Sequence, residues 1–164
     1  MPTTEAASDL VGLHREFWTA FLPLASPKTP RFANNRPRGD HFISAQSGER
    51  GVYYVYIAQV ETSGVCLDIG SNPGPQAYNK AVFDHLAGSR SQIEAVYGRP
   101  LMWTRLDDKL ASRVFDVELP GGCRSPRGQW PAIHRAMIEA MTRFEAAIAP
   151  HLPAATAHAS KLLA

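Results

Sequence analysis

The sequence predicts an α+β fold in a single domain, with a five-stranded antiparallel or mixed sheet and helices packed on it. Three observations lead to this class. The chain has 164 residues, about the length of one domain. Of these, 45% are hydrophobic and 20% are charged, as in ordinary globular proteins. Short runs of strand character are interspersed with longer runs whose apolar residues recur at helical spacing. The predicted order is α-β-β-β-α-β-β-α, over a domain of residues 8–152.

The first half of the chain predicts one helix followed by a meander of three strands. The helix starts at Ser8, because Ser8 or Asp9 can cap it. Its apolar residues at helical spacing are Leu10, Leu13, Phe17, Phe21 and Leu24. The glycine-containing breaks SGERG and ETSG have hairpin-like lengths. They separate three predicted strands: His41–Ser47, Val52–Val60 and Gly64–Ser71.

The middle of the chain predicts a second helix and two further strands. The helix covers Gln76–Tyr97, and Gly98 ends it. On its surface, Lys80–Asp84 and Arg90–Glu94 have the spacing of i, i+4 ion pairs. The strands are Leu101–Leu106 and Arg113–Leu119. In the second of them, apolar and acidic residues alternate. We therefore expect Phe115 on the buried face of the strand and Asp116 on its solvent-exposed face.

The last third predicts one helix and a tail. A helix begins near Pro131, since proline is tolerated in a first turn. Its apolar stripe consists of Trp130, Ile133, Met137, Met141, Phe144 and Ile148. Residues 153–164 are rich in alanine and low in complexity, so we expect a flexible tail there.

Composition excludes several classes of protein. No apolar run approaches the roughly 18 residues of a membrane span, and the first ten residues lack the pattern of a secretory signal. Cys66 and Cys123 are too few for a disulfide scaffold and lack metal-ligand spacing. We therefore expect a cytoplasmic protein with free thiols, no cofactor and no membrane partner. The net charge of +2 is too weak to indicate nucleic-acid binding by itself.

A basic stretch nevertheless occupies residues 28–50. It has five basic and two acidic residues, and its proline, glycine and asparagine content is typical of an exposed loop. Arg36 and Arg38 are candidate phosphate ligands, because a guanidinium group pairs bidentately with phosphate oxygens. The alternative, favoured by the excess of 13 Arg over 4 Lys in the chain, is an ordinary solvated connection.

A second charged cluster lies between the last two predicted strands. Asp107 and Lys109 match the acidic-x-Lys element of metal-dependent nucleases, in which the carboxylate holds a cation and the lysine steadies developing charge. In the restriction-endonuclease-like topology that element belongs on the early meander, where only Asp68 is available and no lysine follows. For Asp107-Asp108-Lys109 the favoured interpretation is a charged turn with ion pairs to Arg105 or Arg113. The cluster as a whole is the second set of candidate binding residues, a polar site or ordered network. Its residues are Arg105, Asp107, Asp108, Lys109 and Arg113.

The central strand carries Tyr54 and Tyr56 on one face. Aromatic side chains on an exposed sheet can stack bases. More often such residues belong to the core. Because both faces of this strand are apolar, we expect the core.

The order of these motifs resembles family 4268 of the bacterial and archaeal domains of unknown function. Its most specific pieces here are Phe17-Trp18, residues 79–84 (NKAVFD), residues 105–113 starting RLDDK, and Trp130-Pro131. Members often resemble C-terminal partners of nuclease-like domains in restriction or defence proteins, which implies work on or near DNA. The resemblance thus favours a non-catalytic accessory or binding module of DNA processing, with nucleic acid or a nuclease or methyltransferase subunit as candidate partners. Two alternatives stay open: a divergent metal-dependent nuclease using Asp68 or Asp107 with Lys109, and a protein-interaction module for a separate nuclease subunit.

Overall fold

A computed structural model describes residues 4–70 and 75–163 and contains five α-helices, three short 3-10 helices and five strands in that part of the chain. The helices are α1 Thr4–Ala25, α2 Gln76–Ala87, α3 Arg90–Tyr97, α4 Trp130–Ile148 and α5 Leu152–Leu162. The strands are β1 Phe42–Gln46, β2 Val52–Ala58, β3 Thr62–Ile69, β4 Met102–Thr104 and β5 Ser112–Pro120.

The strands form one five-stranded sheet in the order β1-β2-β3-β5-β4. Tight hairpins join β1 to β2 and β2 to β3, where Ser47 N donates to Val52 O at 3.1 Å and Gln59 N donates to Thr62 O at 2.8 Å. Strands β4 and β5 pair antiparallel, with Trp103 opposite Val114. The predicted α+β class with an antiparallel sheet is confirmed.

The chain folds into two compact units. The first unit consists of Met1–Ala45, Val55–Val65 and Val117–Met141. The second unit consists of Gln46–Tyr54, Cys66–Asp116 and Thr142–Ala164. Strands β1, β2, β3 and β5 each contribute residues to both units.

Aromatic rings make up the core of the first unit. The ring of Phe17 on α1 meets those of Trp130 and His134 on α4, with centroids 5.1 and 4.5 Å apart. Tyr56 lies 4.7 Å from the Phe21 ring and 4.6 Å from the Phe32 ring. Because Tyr54 and Tyr56 of β2 are both fully buried, the core interpretation of these two tyrosines is confirmed, although β3 and not β2 is the middle strand of the sheet.

The second unit packs Phe144 of α4 against Tyr54 and Tyr97, with ring centroids 6.2 and 5.7 Å apart. The predicted faces of β5 are wrong at its centre. Phe115 is half-buried, whereas Asp116 is buried. The carboxylate of Asp116 is accommodated there because Tyr97 Oη donates to its Oδ2 at 2.6 Å and Arg99 Nε lies 3.2 Å from the same oxygen.

Several element boundaries differ from the predictions. Helix α1 starts at Thr4, ahead of the proposed Ser8 cap. The predicted helix over Gln76–Tyr97 is two helices, because Gly88 and Ser89 separate α2 from α3 and Ser89 leaves helical geometry. Ser71, the predicted end of the third strand, lies outside the described residues.

The C-terminal segment also differs from its prediction. Instead of a flexible tail from residue 153, Leu152–Leu162 form α5, which contacts α2. The buried residues of α5 are Leu152, Ala155, Thr156 and Ala159. Two of these four residues are alanines, and composition alone does not reveal that they are buried.

Candidate functional site

The basic loop, residues 33–41, connects the turn at Phe32 to β1 and is fixed at both ends. Near its start, Asn35 Nδ2 donates to Ser44 O at 3.0 Å. Near its end, the indole Nε1 of Trp18 donates to Asp40 O at 2.8 Å, and Ala58 N donates to His41 O at 2.7 Å. Since Trp18 is fully buried, the loop is tied to the core of the first unit.

Arg36 and Arg38 are exposed on this loop. Arg38 forms an ion pair with Asp40 at 2.8 Å, and its guanidinium lies over the Phe42 ring, 5.7 Å from the centroid. The exposed ring of His41 meets Phe42 edge-on at 5.2 Å. The loop therefore presents cationic and aromatic groups next to one another.

The second charged cluster is the charged hairpin, residues 105–111, which connects β4 to β5 in the second unit. Arg105 binds Asp84 of α2 bidentately, with Nε–Oδ1 at 2.9 Å and Nη2–Oδ2 at 3.1 Å, and also pairs with Asp107. The hydrogen bonds that Arg105 donates to Asp84 and then to Asp107 raise the pKa of Arg105, so the guanidinium stays charged. Both carboxylates are thereby occupied by Arg105.

Lys80 holds the two ends of the charged hairpin together. The side chain is buried, and Nζ contacts the carbonyl oxygens of Arg105, Leu106 and Ala111 at 2.6, 2.8 and 2.9 Å and Ser112 Oγ at 2.9 Å. Burial, and then the nearby Arg105 cation, lower the pKa of Lys80. Leu106 adopts the left-handed region at φ 55°, which is costly for a leucine. The lysine contacts help to hold this turn in place.

Two further α2 side chains extend this contact. Gln76 Nε2 donates to the carbonyls of Asp107 and Lys109 at 3.1 and 2.9 Å, and Asn79 Nδ2 donates to Leu110 O at 2.9 Å. Asn79 also lies against Gly70, where an added Cβ would be 2.0 Å from its amide nitrogen. Gly70 has φ +95°, so the close approach and the backbone both require glycine.

The remaining predicted residues lie around the charged hairpin. Arg113 Nε on β5 lies 3.9 Å from Asp68 Oδ1 on β3. Asp108 and Lys109 are exposed at the hairpin tip. The predicted residues thus fall into two sets: Arg36 and Arg38 in the first unit, and Arg105, Asp107, Asp108, Lys109 and Arg113 in the second.

Residues 13–152 match the family described as a domain of unknown function, DUF4268. The chain belongs to this family. The match covers most of the sequence, from α1 to the start of α5. No curated protein and no solved structure matches the chain.

Sequence reasoning missed the α2 residues that bind the charged hairpin in this DUF4268 chain. Lys80 and Asp84 were expected to pair with each other, but Lys80 binds backbone oxygens and Asp84 binds Arg105. The useful signal was a polar stripe on one face of the second helix, at positions 76, 79, 80 and 84. The expected Arg90–Glu94 pair is present at 3.3 Å.

Two kinds of feature are absent from residues 4–70 and 75–163 of the DUF4268 chain. In those ranges no three or more His, Cys, Asp or Glu side chains are grouped so that they could hold a metal ion. Among the helices of the same ranges, none has the length and apolar character needed to cross a membrane.

Proposed function

We propose that this DUF4268 chain is a non-catalytic, cytoplasmic accessory module of DNA processing that binds nucleic acid through its basic loop. The observation that carries the proposal is the exposure of Arg36 and Arg38 on a loop that is hydrogen-bonded at both ends. The resemblance to modules beside nuclease-like domains supports a partner that is a nuclease or methyltransferase subunit.

The chemistry of the basic loop suits phosphate. Guanidinium groups donate two parallel hydrogen bonds to phosphate oxygens, and each such contact releases counterions from the nucleic acid. Anchoring by Trp18 and Asn35 reduces the conformational entropy that the loop would otherwise lose on binding. The ion pair of Arg38 with Asp40 is exposed, so phosphate can compete with it at a small cost.

The charged hairpin favours a structural role over a catalytic one. The carboxylates of Asp84 and Asp107 both bind Arg105, and Lys80 is buried against backbone oxygens. A nuclease site here would need the Asp107 carboxylate directed at a cation, beside Lys109. Lys109 is exposed, but the Asp107 carboxylate is paired with Arg105. Asp84, Arg105 and Lys80 instead fix the turn between β4 and β5.

The test is the salt dependence of DNA binding, measured by fluorescence anisotropy with the full chain. Arg36→Ala/Arg38→Ala should weaken binding and reduce the slope of log K against log salt by about one unit per lost contact. The control is Arg124→Ala/Arg135→Ala, which removes the same charge from two exposed arginines of the first unit. Equal effects of the two double variants would contradict a site on the basic loop.

A further inference from the structure

We infer that the basic loop takes single-stranded rather than duplex DNA, because a stacking platform for unpaired bases lies beside its arginines. The stacking platform consists of Arg38, His41 and Phe42. This inference rests on the proposed function and specifies its substrate class.

The platform is built from planar groups in contact. The guanidinium of Arg38 lies over the half-buried Phe42 ring, 5.7 Å from the centroid, and the His41 ring meets Phe42 at 5.2 Å with an interplanar angle of 74°. Arg38 and His41 are both exposed. Bases stack on guanidinium planes and on aromatic rings alike, so the exposed members of this cluster offer surfaces for a base.

The position of the platform distinguishes it from the other aromatic residues of the first unit. Phe42 starts β1, which is an edge strand with β2 as its sheet neighbour. The buried aromatic residues of that unit are Phe17, Trp18, Phe21, Phe32, Tyr56 and Trp130. Their rings lie in the core and are closed to a nucleic acid. The aromatic surface open to solvent is therefore next to the phosphate-binding candidates Arg36 and Arg38.

The preference for single-stranded over duplex DNA follows from the position of the bases in each. In a duplex the bases are stacked inside, and a ring on a sheet edge reaches phosphates and groove edges only. In a single strand the bases turn outward and can stack on protein side chains, while the backbone follows the cationic groups. A loop that combines Arg36, Arg38 and an aromatic cluster suits the second arrangement.

The experiment compares three probes of equal length, about 20 nucleotides, at one salt concentration. They are a mixed-sequence single strand, its duplex, and a single strand of abasic sites that keeps the phosphates without the bases. The wild-type chain should bind the base-containing strand roughly fivefold or more tightly than the abasic strand, which is the lower end of the stacking effect. It should also bind that strand more tightly than the duplex.

Variants of the platform separate stacking from charge. Phe42→Leu together with His41→Ala should reduce the preference for bases, because only the Arg38 guanidinium is left to stack on a base. Binding to the abasic strand should keep the salt slope that Arg36 and Arg38 set. Phe115→Leu, a half-buried aromatic on β5, is the matched control and should keep the preference. Thermal unfolding of each variant shows that the fold is intact.

The outcomes distinguish this inference from the proposed function. Equal affinity of the wild-type chain for all three probes, with binding still lost in Arg36→Ala/Arg38→Ala, would overturn the stacking platform and keep the phosphate site. A preference for bases that is undiminished in Phe42→Leu/His41→Ala would also overturn it. Failure to bind any of the probes at low salt would overturn both.

Discussion

His134 lies on α4 with 1% of its surface exposed and packs against Phe17, Phe21 and Trp130. Within the described residues its Nε2 has no hydrogen-bond partner. Burial lowers the pKa of His134 from 6.5 to about 4, because the imidazolium would lose its hydration in this aromatic surrounding. The folded protein therefore holds this ring neutral at pH 7.

Acidification should destabilise the protein through His134. Between pH 6.5 and about 4 the unfolded chain binds a proton at this position and the folded chain does not. The free energy of unfolding should therefore fall as pH decreases through this window, by about 1–2 kcal/mol between pH 7 and pH 5. His134→Leu should flatten that part of a urea-denaturation pH profile. Met137→Leu, at another buried position of α4, is the control and should leave the slope unchanged; identical slopes in all three proteins would show that His134 does not titrate in this way.

At the scale of an element, the charged hairpin is a turn whose backbone is stabilised by side chains from another element. Lys80, Gln76 and Asn79 of α2 all donate hydrogen bonds to carbonyl oxygens of the hairpin. The hairpin and α2 should therefore lose structure together rather than one at a time.

Lys80→Met should destabilise the protein by about 1–3 kcal/mol, because it leaves three part-buried carbonyl oxygens without their donor while keeping much of the side-chain volume. Lys109→Met removes the same charge at the exposed hairpin tip and should change stability by no more than about 0.5 kcal/mol. The measurement is the free energy of unfolding in urea. If the two variants proved equally stable, Lys80 would not be supporting the hairpin.

Helix α5 offers a second test at this scale. Ala159 is fully buried in α5, and Ala157 of the same helix is exposed. Ala159→Glu should cost about 2 kcal/mol or more, because a carboxylate would be placed in a packed contact. Ala157→Glu should be close to neutral. Two neutral substitutions in thermal unfolding would instead support the flexible tail that composition predicts.

For the whole molecule, we predict that the isolated protein cleaves neither single-stranded nor double-stranded DNA with magnesium or manganese. The reason is the pairing of Asp84 and Asp107 with Arg105, which a cation would have to displace. The measurement is a gel-based cleavage assay with both substrates. Cleavage that requires metal and disappears in folded Asp107→Ala and Lys109→Ala variants would establish the nuclease alternative.

Much of this fold could be predicted from periodicity, since helical spacing in α1 and α4 reports which faces are apolar. The apolar residues on both faces of β2 indicate a buried strand. Periodicity did not predict the burial of a polar residue whose partners lie elsewhere in the chain. Asp116 is buried because Tyr97 and Arg99 bind it, and both lie on a different part of the chain. In the charged hairpin, too, contacts between near neighbours in the sequence could be predicted and contacts with a distant helix could not. The pairing of Arg105 with Asp107 was foreseeable at two residues' separation, whereas Lys80 and Asp84 reach the hairpin from more than twenty residues away.

The burial of Lys80 has a consequence for chemical labelling. The chain contains 4 lysines, and the other three, Lys28, Lys109 and Lys161, are exposed. An amine-reactive reagent needs an accessible, unprotonated nitrogen lone pair, and each proton of the Lys80 ammonium is directed at an oxygen. In the folded protein three lysine side chains should react rapidly and the fourth, Lys80, should not. The rate at which Lys80 is modified should then report the rate of local opening between α2 and the charged hairpin. Mass spectrometry of the peptide that contains Lys80 would measure that rate.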